Sequence, residues 1–147
     1  MRRAVASDAP ILTRMMHESS AYQGPYAAIL EGYEVTDVQI ARDAIYVAEA
    51  CSTIVGFYSL VDGVVGPELD LMFVLDEARG LGIGRQIFAH VIATARSRGW
   101  RSVTIISHPP AEAFYLRMGA SRVGIAQPTG RVRWKRPILA LAVPDSA

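Results

Sequence analysis

Cysteine, asparagine and long apolar runs are scarce or absent in this sequence, and the absences exclude several classes of protein. The single cysteine, Cys51, cannot form an internal disulfide or a cysteine-based zinc site. The three histidines lie far apart and show none of the short spacings of metal motifs, so we expect no metal. No apolar run approaches the roughly 20 residues of a membrane span, and the first residues lack the apolar core of a signal peptide. We therefore expect a cytoplasmic protein without a membrane partner.

An excess of charge of one sign is also missing. Fifteen lysines and arginines stand against fourteen aspartates and glutamates, which leaves a formal net charge of +1. A balance so close to zero gives no reason to expect a nucleic-acid partner. The 147 residues, of which 51% are hydrophobic and 20% charged, are typical of a globular chain. Residues 1–147 are therefore predicted to form a single domain.

Seven segments have the composition of strands, and four regions that of helices. The predicted strands are 2–6, 45–50, 53–61, 68–75, 102–107, 121–126 and 133–143. The predicted helices are one that begins at Ser7 or Asp8, one or two short ones within 21–43, one over 82–98 and one over 109–118. Because strands and helices do not alternate regularly, the order favours an α+β fold with a mixed sheet over a doubly wound one.

Two details of the predicted strands bear on a candidate site. Glu68, Asp70, Met72 and Val74 alternate with four apolar residues, so strand geometry predicts that these four share one face. Pro137 lies inside the last predicted strand and donates no backbone hydrogen bond, which predicts an edge position or a bulge there.

A glycine-rich segment lies between a predicted strand and the longest predicted helix. Gly80, Gly82 and Gly84 allow a tight turn and the close approach of an anion to the main chain. The amide groups of the loop and of the helix N-terminus would face that anion. Arg85 follows where a triphosphate-binding loop needs lysine, and the third glycine of the dinucleotide fingerprint is missing. The pattern therefore predicts a pyrophosphate site of another kind.

Two motifs resemble those of the GNAT superfamily of N-acetyltransferases. Arg-Gly-Leu-Gly-Ile-Gly at 79–84 matches the superfamily's pyrophosphate motif, Gln/Arg-x-x-Gly-x-Gly/Ala. Ala-Glu-Ala-Phe-Tyr-Leu-Arg-Met-Gly-Ala at 111–120 is similar to its helix motif A-x-x-F-Y-x-x-x-G-F, with Ala120 in place of the last aromatic residue. The order and spacing match across residues 45–143, whereas the first 44 residues fit loosely. The resemblance implies a mixed, mostly antiparallel sheet of about seven strands with flanking helices.

The resemblance also implies an activity, the direct transfer of an acetyl group from the cosubstrate acetyl-CoA to an amine, without a covalent enzyme intermediate. Tyr115 matches the family's general-acid tyrosine, which protonates the departing thiolate. Main-chain groups of Met72, Phe73 and Val74 are implied to bind the pantetheine arm, with the Val74 amide facing the thioester oxygen. The residues implied to hold the phosphates are Arg79, Gly80, Leu81, Gly82, Ile83, Gly84 and Arg85. A homodimer is common in the family and is the assembly that the resemblance implies.

The group that deprotonates the amine has several candidates. Glu68 matches a glutamate of some relatives, and the like charge of Asp70 would raise its pKa toward neutrality. His108 has an ordinary pKa near 6.5 and follows a buried strand, which makes it a rival base or proton relay. Deprotonation through water, without a single base, is the remaining alternative.

The acceptor pocket is implied to include Tyr22, Tyr26 and Tyr33, because the family's first helices wall it, and Asp70 is assigned to it as well. A pocket rich in tyrosine favours a small primary amine such as an amino acid, a polyamine or an amine antibiotic. The alternative acceptor is an amine of a peptide or protein. A non-catalytic sensor of acyl-CoA is a third reading, which the retained catalytic residues disfavour.

Three features depart from the family pattern or lie outside it. Asp76 stands where many relatives have proline, a difference that we expect to matter little. His108 stands where many have asparagine or aspartate, which leaves the usual polar contact there open. The basic run at 131–136 alternates with apolar residues, which favours an exposed strand or, alternatively, a frame for an acidic acceptor.

Overall fold

The computed structural model describes residues 1–63 and 66–145. Its helices are α1 (Ala9–Glu18), α2 (Asp37–Arg42), α3 (Ile83–Ser97) and α4 (Glu112–Arg117). Its strands are β1 (Arg2–Arg3), β2 (Ala44–Ala50), β3 (Thr53–Gly63), β4 (Gly66–Val74), β5 (Ser102–Ile106), β6 (Ser121–Ala126) and β7 (Arg136–Ala142). Short 3-10 segments occupy Ala6–Asp8, Ser20–Tyr22, Gly24–Leu30, Asp76–Ala78 and Pro109–Ala111. The predicted order of strands and helices is confirmed.

The seven strands form one sheet in the order β1-β2-β3-β4-β5-β7-β6. Neighbouring strands run antiparallel except β4 and β5, which are parallel. This is the mixed, mostly antiparallel α+β architecture that the sequence motifs imply. The parallel pair is in register only at Glu68 and Thr104, and beyond that point the two strands separate.

Helices cover both faces of the sheet, and each face has its own core. The apolar stripe of α3 lies on one face, where Ile87, Val91 and Ala95 are fully buried, as the helical spacing predicts. On the other face, α1 buries Leu12 and Met16 against the sheet. Each large buried side chain contributes about 1.5–3 kcal/mol to the free energy of folding. Within the described ranges, none of the helices combines the length and apolar character needed to span a membrane.

A bulge at Asp70 corrects the predicted faces of β4. The register of β4 against β3 shifts by one position there, so Asp70 is an extra residue without a partner of its own. Leu69 consequently packs into the same core as Met72 and Val74, beneath α3. The prediction that residues 68, 70, 72 and 74 share one face is wrong, because strict alternation does not continue through an inserted residue. Glu68 faces the opposite side of the sheet from Leu69.

The position of β7 corrects the prediction for Pro137. Because β7 lies between β5 and β6, Pro137 is not on an edge strand. The register shift lies on the neighbouring strand, where Val123 of β6 is the extra residue. Pro137 is the second residue of β7, and its carbonyl accepts a hydrogen bond from the Ser107 amide at 2.9 Å. The missing donor therefore falls near the strand end, where a sheet tolerates proline best.

The first strand is shorter than the predicted 2–6. The Asp8 carboxylate accepts a hydrogen bond from the Val5 amide at 2.8 Å and pairs with the Arg2 guanidinium at 2.8 Å. These bonds favour a turn directly after β1, and a 3-10 segment begins at Ala6. Helix α1 then starts with Pro10 in its first turn, as the sequence predicts.

Candidate functional site

A cleft of ≈ 670 Å³ opens where β4 and β5 separate. Residues 69–74 of β4 line one side, and residues 105–108 at the end of β5 line the other. The glycine-rich loop before α3 and the segment that follows α1 also contribute to its wall. Since β4 has no partner strand on this side beyond Glu68, its main-chain groups there are free to bind a ligand.

The free edge of β4 presents amide groups to the cleft. The Leu75 amide donates to the Val55 carbonyl of β3 at 2.9 Å. Because successive amides of a strand point to opposite edges, the amides of Val74 and Met72 point away from β3, toward the cleft. Met72, Phe73 and Val74 all line the cleft. This is the geometry that binding of a linear amide along the strand requires.

The glycine-rich loop is shaped to receive an anion. Gly80 and Gly82 have φ angles of +81° and +79°, in the left-handed region that favours glycine. A Cβ built at either residue meets nothing within 4 Å, so the space above them is open. At Gly84, in the first turn of α3, a Cβ would lie 3.3 Å from the Phe114 ring. The turns of the loop and the unpaired first amides of α3 together form a cradle that fits a diphosphate.

The two predicted phosphate-binding arginines both line the cleft, but Arg79 is already engaged. Its guanidinium lies 3.1 Å from the Asp76 carboxylate and donates to Ser20 Oγ at 3.1 Å. Asp76 in turn accepts hydrogen bonds from the Ser20 amide at 3.2 Å and the Ser20 hydroxyl at 3.1 Å. We call Ser20, Asp76 and Arg79 the clasp, because they join the segment after α1 to the glycine loop. Arg85 lies at the start of α3.

Tyr115 of α4 lines the cleft and is only 8% exposed. Its ring packs against Phe114 and Phe88, with centroids 5.5 Å and 6.3 Å away, so its position is fixed by the core. Burial, with a smaller contribution from nearby Tyr22, raises the pKa of Tyr115 well above its ordinary value of 10. The phenol therefore keeps its proton throughout the neutral range, as a proton donor must.

His108 follows β5, lines the cleft and is 8% exposed. Its Nε2 atom makes a short hydrogen bond to the Ala21 carbonyl. Because a carbonyl only accepts, Nε2 carries the proton and Nδ1 holds a lone pair. Among the residues that the structure describes, Nδ1 has no hydrogen-bond partner. Burial lowers the pKa of His108 below 6.5, although the bond to Ala21 opposes this, so the ring is neutral at pH 7.

The two carboxylates singled out on β4 occupy different places. Asp70, on the bulge, lines the cleft and also a second cavity of ≈ 700 Å³. Glu68 is half-buried and lines neither of these cavities. Burial and then the charge of Asp70 raise the pKa of Glu68, while Arg136 lowers it. Asp70 is exposed, and the pKa of its carboxyl group is raised by partial desolvation and then by the charge of Asp43, while Arg42 lowers it.

The three tyrosines predicted to wall the acceptor pocket do not all line the cleft. Tyr22 lines the cleft and stacks on His108 with ring centroids 4.0 Å apart, and burial raises its pKa to about 12. Tyr26 contacts the His108 ring edge-on at 4.6 Å without lining the cleft itself. Tyr33 lines the second cavity beside Asp70. The cleft thus brings together Tyr22, His108, Tyr115 and Asp70.

Sequence reasoning missed the segment that directly follows α1. Ser19, Ser20 and Ala21 line the cleft, and Ala21 contributes its main-chain carbonyl to His108. No side-chain pattern signals a main-chain acceptor, so only the fold reveals it. The basic run at 131–136 does not by itself single out Trp134, whose ring contacts Tyr26 edge-on with centroids 4.9 Å apart. Its place within a basic run was the one available signal.

Comparison with known proteins places these features in a family. The profile of the Acetyltransferase (GNAT) domain matches residues 26–133 of this chain. A 5-NmdU N-acetyltransferase from Pseudomonas phage PaMx11 is 39% identical to the chain over 82 residues, which are 54% of this chain and 59% of that protein. The match therefore spans little more than half the length of this relative.

Two solved structures show the same fold. The PaiA N-acetyltransferase from Thermoplasma acidophilum, in complex with coenzyme A, superposes with a TM-score of 0.77 at 19% identity and covers 96% of both chains. The ribosomal-protein-S18-alanine N-acetyltransferase from Escherichia coli superposes with a TM-score of 0.71 at 17% identity, over 99% of this chain and 94% of that one. At these identities the likeness shows the fold alone.

Proposed function

The chain belongs to the GNAT acetyltransferase family, and from this premise we propose that it transfers an acetyl group from acetyl-CoA directly to a primary amine. The observation that carries the proposal is the convergence of three features on one cleft. These are a left-handed glycine cradle, a free strand edge and a buried, protonated tyrosine. Each feature meets a separate requirement of the reaction, and the fold brings them together from distant parts of the chain.

Binding of the cosubstrate follows from the main chain. Acetyl-CoA supplies an acetyl group that is activated as a thioester. Amides of the glycine loop and of the first turn of α3 hold its diphosphate, with Arg79 and Arg85 adding positive charge. The Met72 amide holds the pantetheine arm along β4. The Val74 amide points to the same side, where it stabilises the negative charge that develops on the thioester oxygen.

We propose that Tyr115 donates a proton to the departing thiolate. Its phenol is neutral at physiological pH, because burial has raised its pKa. A thiol has an ordinary pKa of about 8.5, so the phenol gives up its proton only as the negative charge on sulfur builds. No enzyme nucleophile is required, and the single cysteine, exposed in the turn between β2 and β3, plays no part.

Asp70 is the group that we propose receives the amine. Asp70 lines the cleft as well as the second cavity, whereas Glu68 lines neither. Its carboxylate attracts an ammonium group and accepts the proton that the amine must lose, directly or through water. Neutral His108, stacked on Tyr22, positions the acceptor wall.

The acceptor that we propose is a small primary amine. The amine of 5-NmdU is the first to test, since it is the substrate named for the phage relative. Thiol release from acetyl-CoA should be measured across 5-NmdU, amino acids, polyamines and peptides with a free α-amine, with Tyr115→Phe as the inactive control. The proposal requires that at least one amine stimulates release and gains an acetyl group by mass spectrometry. Tight binding of acetyl-CoA without stimulation by any amine would instead identify a sensor.

A further inference from the structure

The basic run at 131–136 lies beside the acceptor side of the cleft. Four of these six residues are basic and none is acidic, although the whole chain carries a net charge of only +1. Arg131, Arg133 and Lys135 are exposed, and Arg136 is half-buried at the start of β7. Within residues 1–63 and 66–145, none of the four forms an ion pair with a carboxylate. The run at 131–136 is therefore a local patch of unpaired positive charge, although the net charge of the whole chain is close to zero.

The acidic groups near this run are few and do not neutralise it. Arg131 donates to the main-chain carbonyl of Glu31 rather than to its carboxylate. Glu68 is close enough for the charge of Arg136 to lower its pKa, but it forms no ion pair in the described part of the chain. The charge of Arg136 also acts to lower the pKa of Tyr22, so this guanidinium lies near a residue that lines the cleft. Arg133 and Lys135 remain free to meet an anion.

A row of aromatic rings leads from the basic run to the cleft. Trp134 contacts Tyr26 with centroids 4.9 Å apart, and Tyr26 contacts His108 at 4.6 Å. His108 stacks on Tyr22 at 4.0 Å, and Tyr22 lines the cleft. Trp134, Tyr26 and Tyr22 are each half-buried, so part of each ring is accessible. We call Arg131, Arg133, Trp134, Lys135 and Tyr26 the basic–aromatic surface.

We propose that the basic–aromatic surface binds a single-stranded polynucleotide whose amine-bearing base enters the cleft. Proteins that hold single strands combine cations that follow the phosphates with aromatic rings on which bases stack. An acidic peptide would use the cations but would bring no flat base to stack on the accessible parts of the rings. The proposal rests on the proposed function, because the cleft must be the acceptor site. It also departs from the expectation, drawn from net charge alone, of no nucleic-acid partner.

The test is binding of a fluorescently labelled single-stranded oligodeoxynucleotide, followed by anisotropy at several salt concentrations. Saturating CoA should be present, so that the oligonucleotide phosphates cannot occupy the glycine cradle. We expect saturable binding that weakens with salt. Replacing Arg133 and Lys135 by glutamine should reduce the slope of log K against log salt by roughly 0.7 for each cation removed. Arg101→Gln, at an exposed arginine directly before β5, is the matched control and should leave the slope unchanged.

A second measurement, of tryptophan fluorescence, tests the aromatic rings of the basic–aromatic surface. Trp100→Phe leaves Trp134 as the only tryptophan, because the chain has two. Stacking of a base should then quench its emission on addition of the oligonucleotide. The inference is overturned by the absence of saturable binding, by equal binding of the Arg133/Lys135 variant, by an unquenched Trp134, or by equal binding of a polyglutamate peptide. Acetylation of a small free amine by the same variants reports separately on the proposed function, because neither residue contacts the cleft.

Discussion

The Ser20 amide donates a hydrogen bond to Asp76 Oδ2 at 3.2 Å, across 56 positions of sequence. The same carboxylate lies 3.1 Å from the Arg79 guanidinium, so one aspartate holds both the segment after α1 and a candidate phosphate ligand. A proline at this position could do neither, because its side chain has no group that accepts a hydrogen bond or pairs with an arginine. In this chain the clasp therefore links the segment after α1 to the glycine-rich loop.

Asp76→Ala should strengthen the binding of CoA. The substitution frees Arg79 from a partner that neutralises it, and an exposed ion pair is worth up to about 1 kcal/mol, so we expect Kd to fall by up to about fivefold. Calorimetric titration with CoA measures this, and Glu77→Ala, an exposed neighbour, serves as the control. An unchanged or weaker affinity in Asp76→Ala alone would show that Arg79 takes no part in phosphate binding.

Tyr115→Phe should lower kcat by about 10²–10⁴ and leave CoA affinity unchanged. The reason is that the hydroxyl acts only when charge develops on sulfur, whereas the ring contacts with Phe114 and Phe88 are retained. Steady-state kinetics with the best amine acceptor, together with calorimetry, separates the two effects. Wild-type turnover in the variant would remove Tyr115 from the mechanism.

Asp70→Asn should reduce kcat/KM by about 10²-fold, and Glu68→Gln by less than about tenfold. Asp70 lines the cleft and the second cavity, while Glu68 lines neither. Comparison of the two variants at pH 7, and of their pH–rate profiles, checks the assignment. The reverse order of the two losses would return the role of base to Glu68.

His108→Gln should flatten the loss of stability at acidic pH. The folded state holds His108 neutral with a pKa below 6.5, so it binds fewer protons than the unfolded state. Stability contributed by this ring is therefore complete at high pH and declines as pH falls below about 6.5. Glutamine can still donate to the Ala21 carbonyl. Plots of Tm against pH for this variant and for His17→Gln, an exposed histidine of α1, should differ, and identical plots would exclude the effect.

The order of helices and strands and the two motifs could be predicted from the sequence, because both depend on local patterns of residues. The apolar stripe of α3 and the glycines at 80 and 82 specify a helix and a left-handed turn without help from the rest of the chain. The face of Asp70 could not be predicted, since a bulge depends on the register of the neighbouring strand. The bond between His108 and Ala21 joins positions 87 residues apart through a main-chain carbonyl, which leaves no trace in residue types.

The clasp and the interior position of Pro137 illustrate the same limit. Nothing in the sequence near Asp76 indicates that Ser20, 56 positions away, lies beside it. Pro137 suggested an edge, but the strand order that places β7 between two neighbours is a property of the whole sheet. Long-range packing thus decided the parts of the site that local sequence patterns left open.

Calorimetric titration of acetyl-CoA into the wild type, Gly82→Asp and Gly99→Asp tests the glycine cradle most directly. Both glycines are left-handed, with φ of +79° and +74°, and neither has an atom within 4 Å of an added Cβ, so the two variants carry the same backbone strain. Only Gly82 lines the cleft, where a carboxylate would repel a diphosphate. We predict saturable binding to the wild type and to Gly99→Asp, and a Kd at least about tenfold higher for Gly82→Asp. Absence of binding to the folded wild type, or equal affinity of all three proteins, would contradict the account.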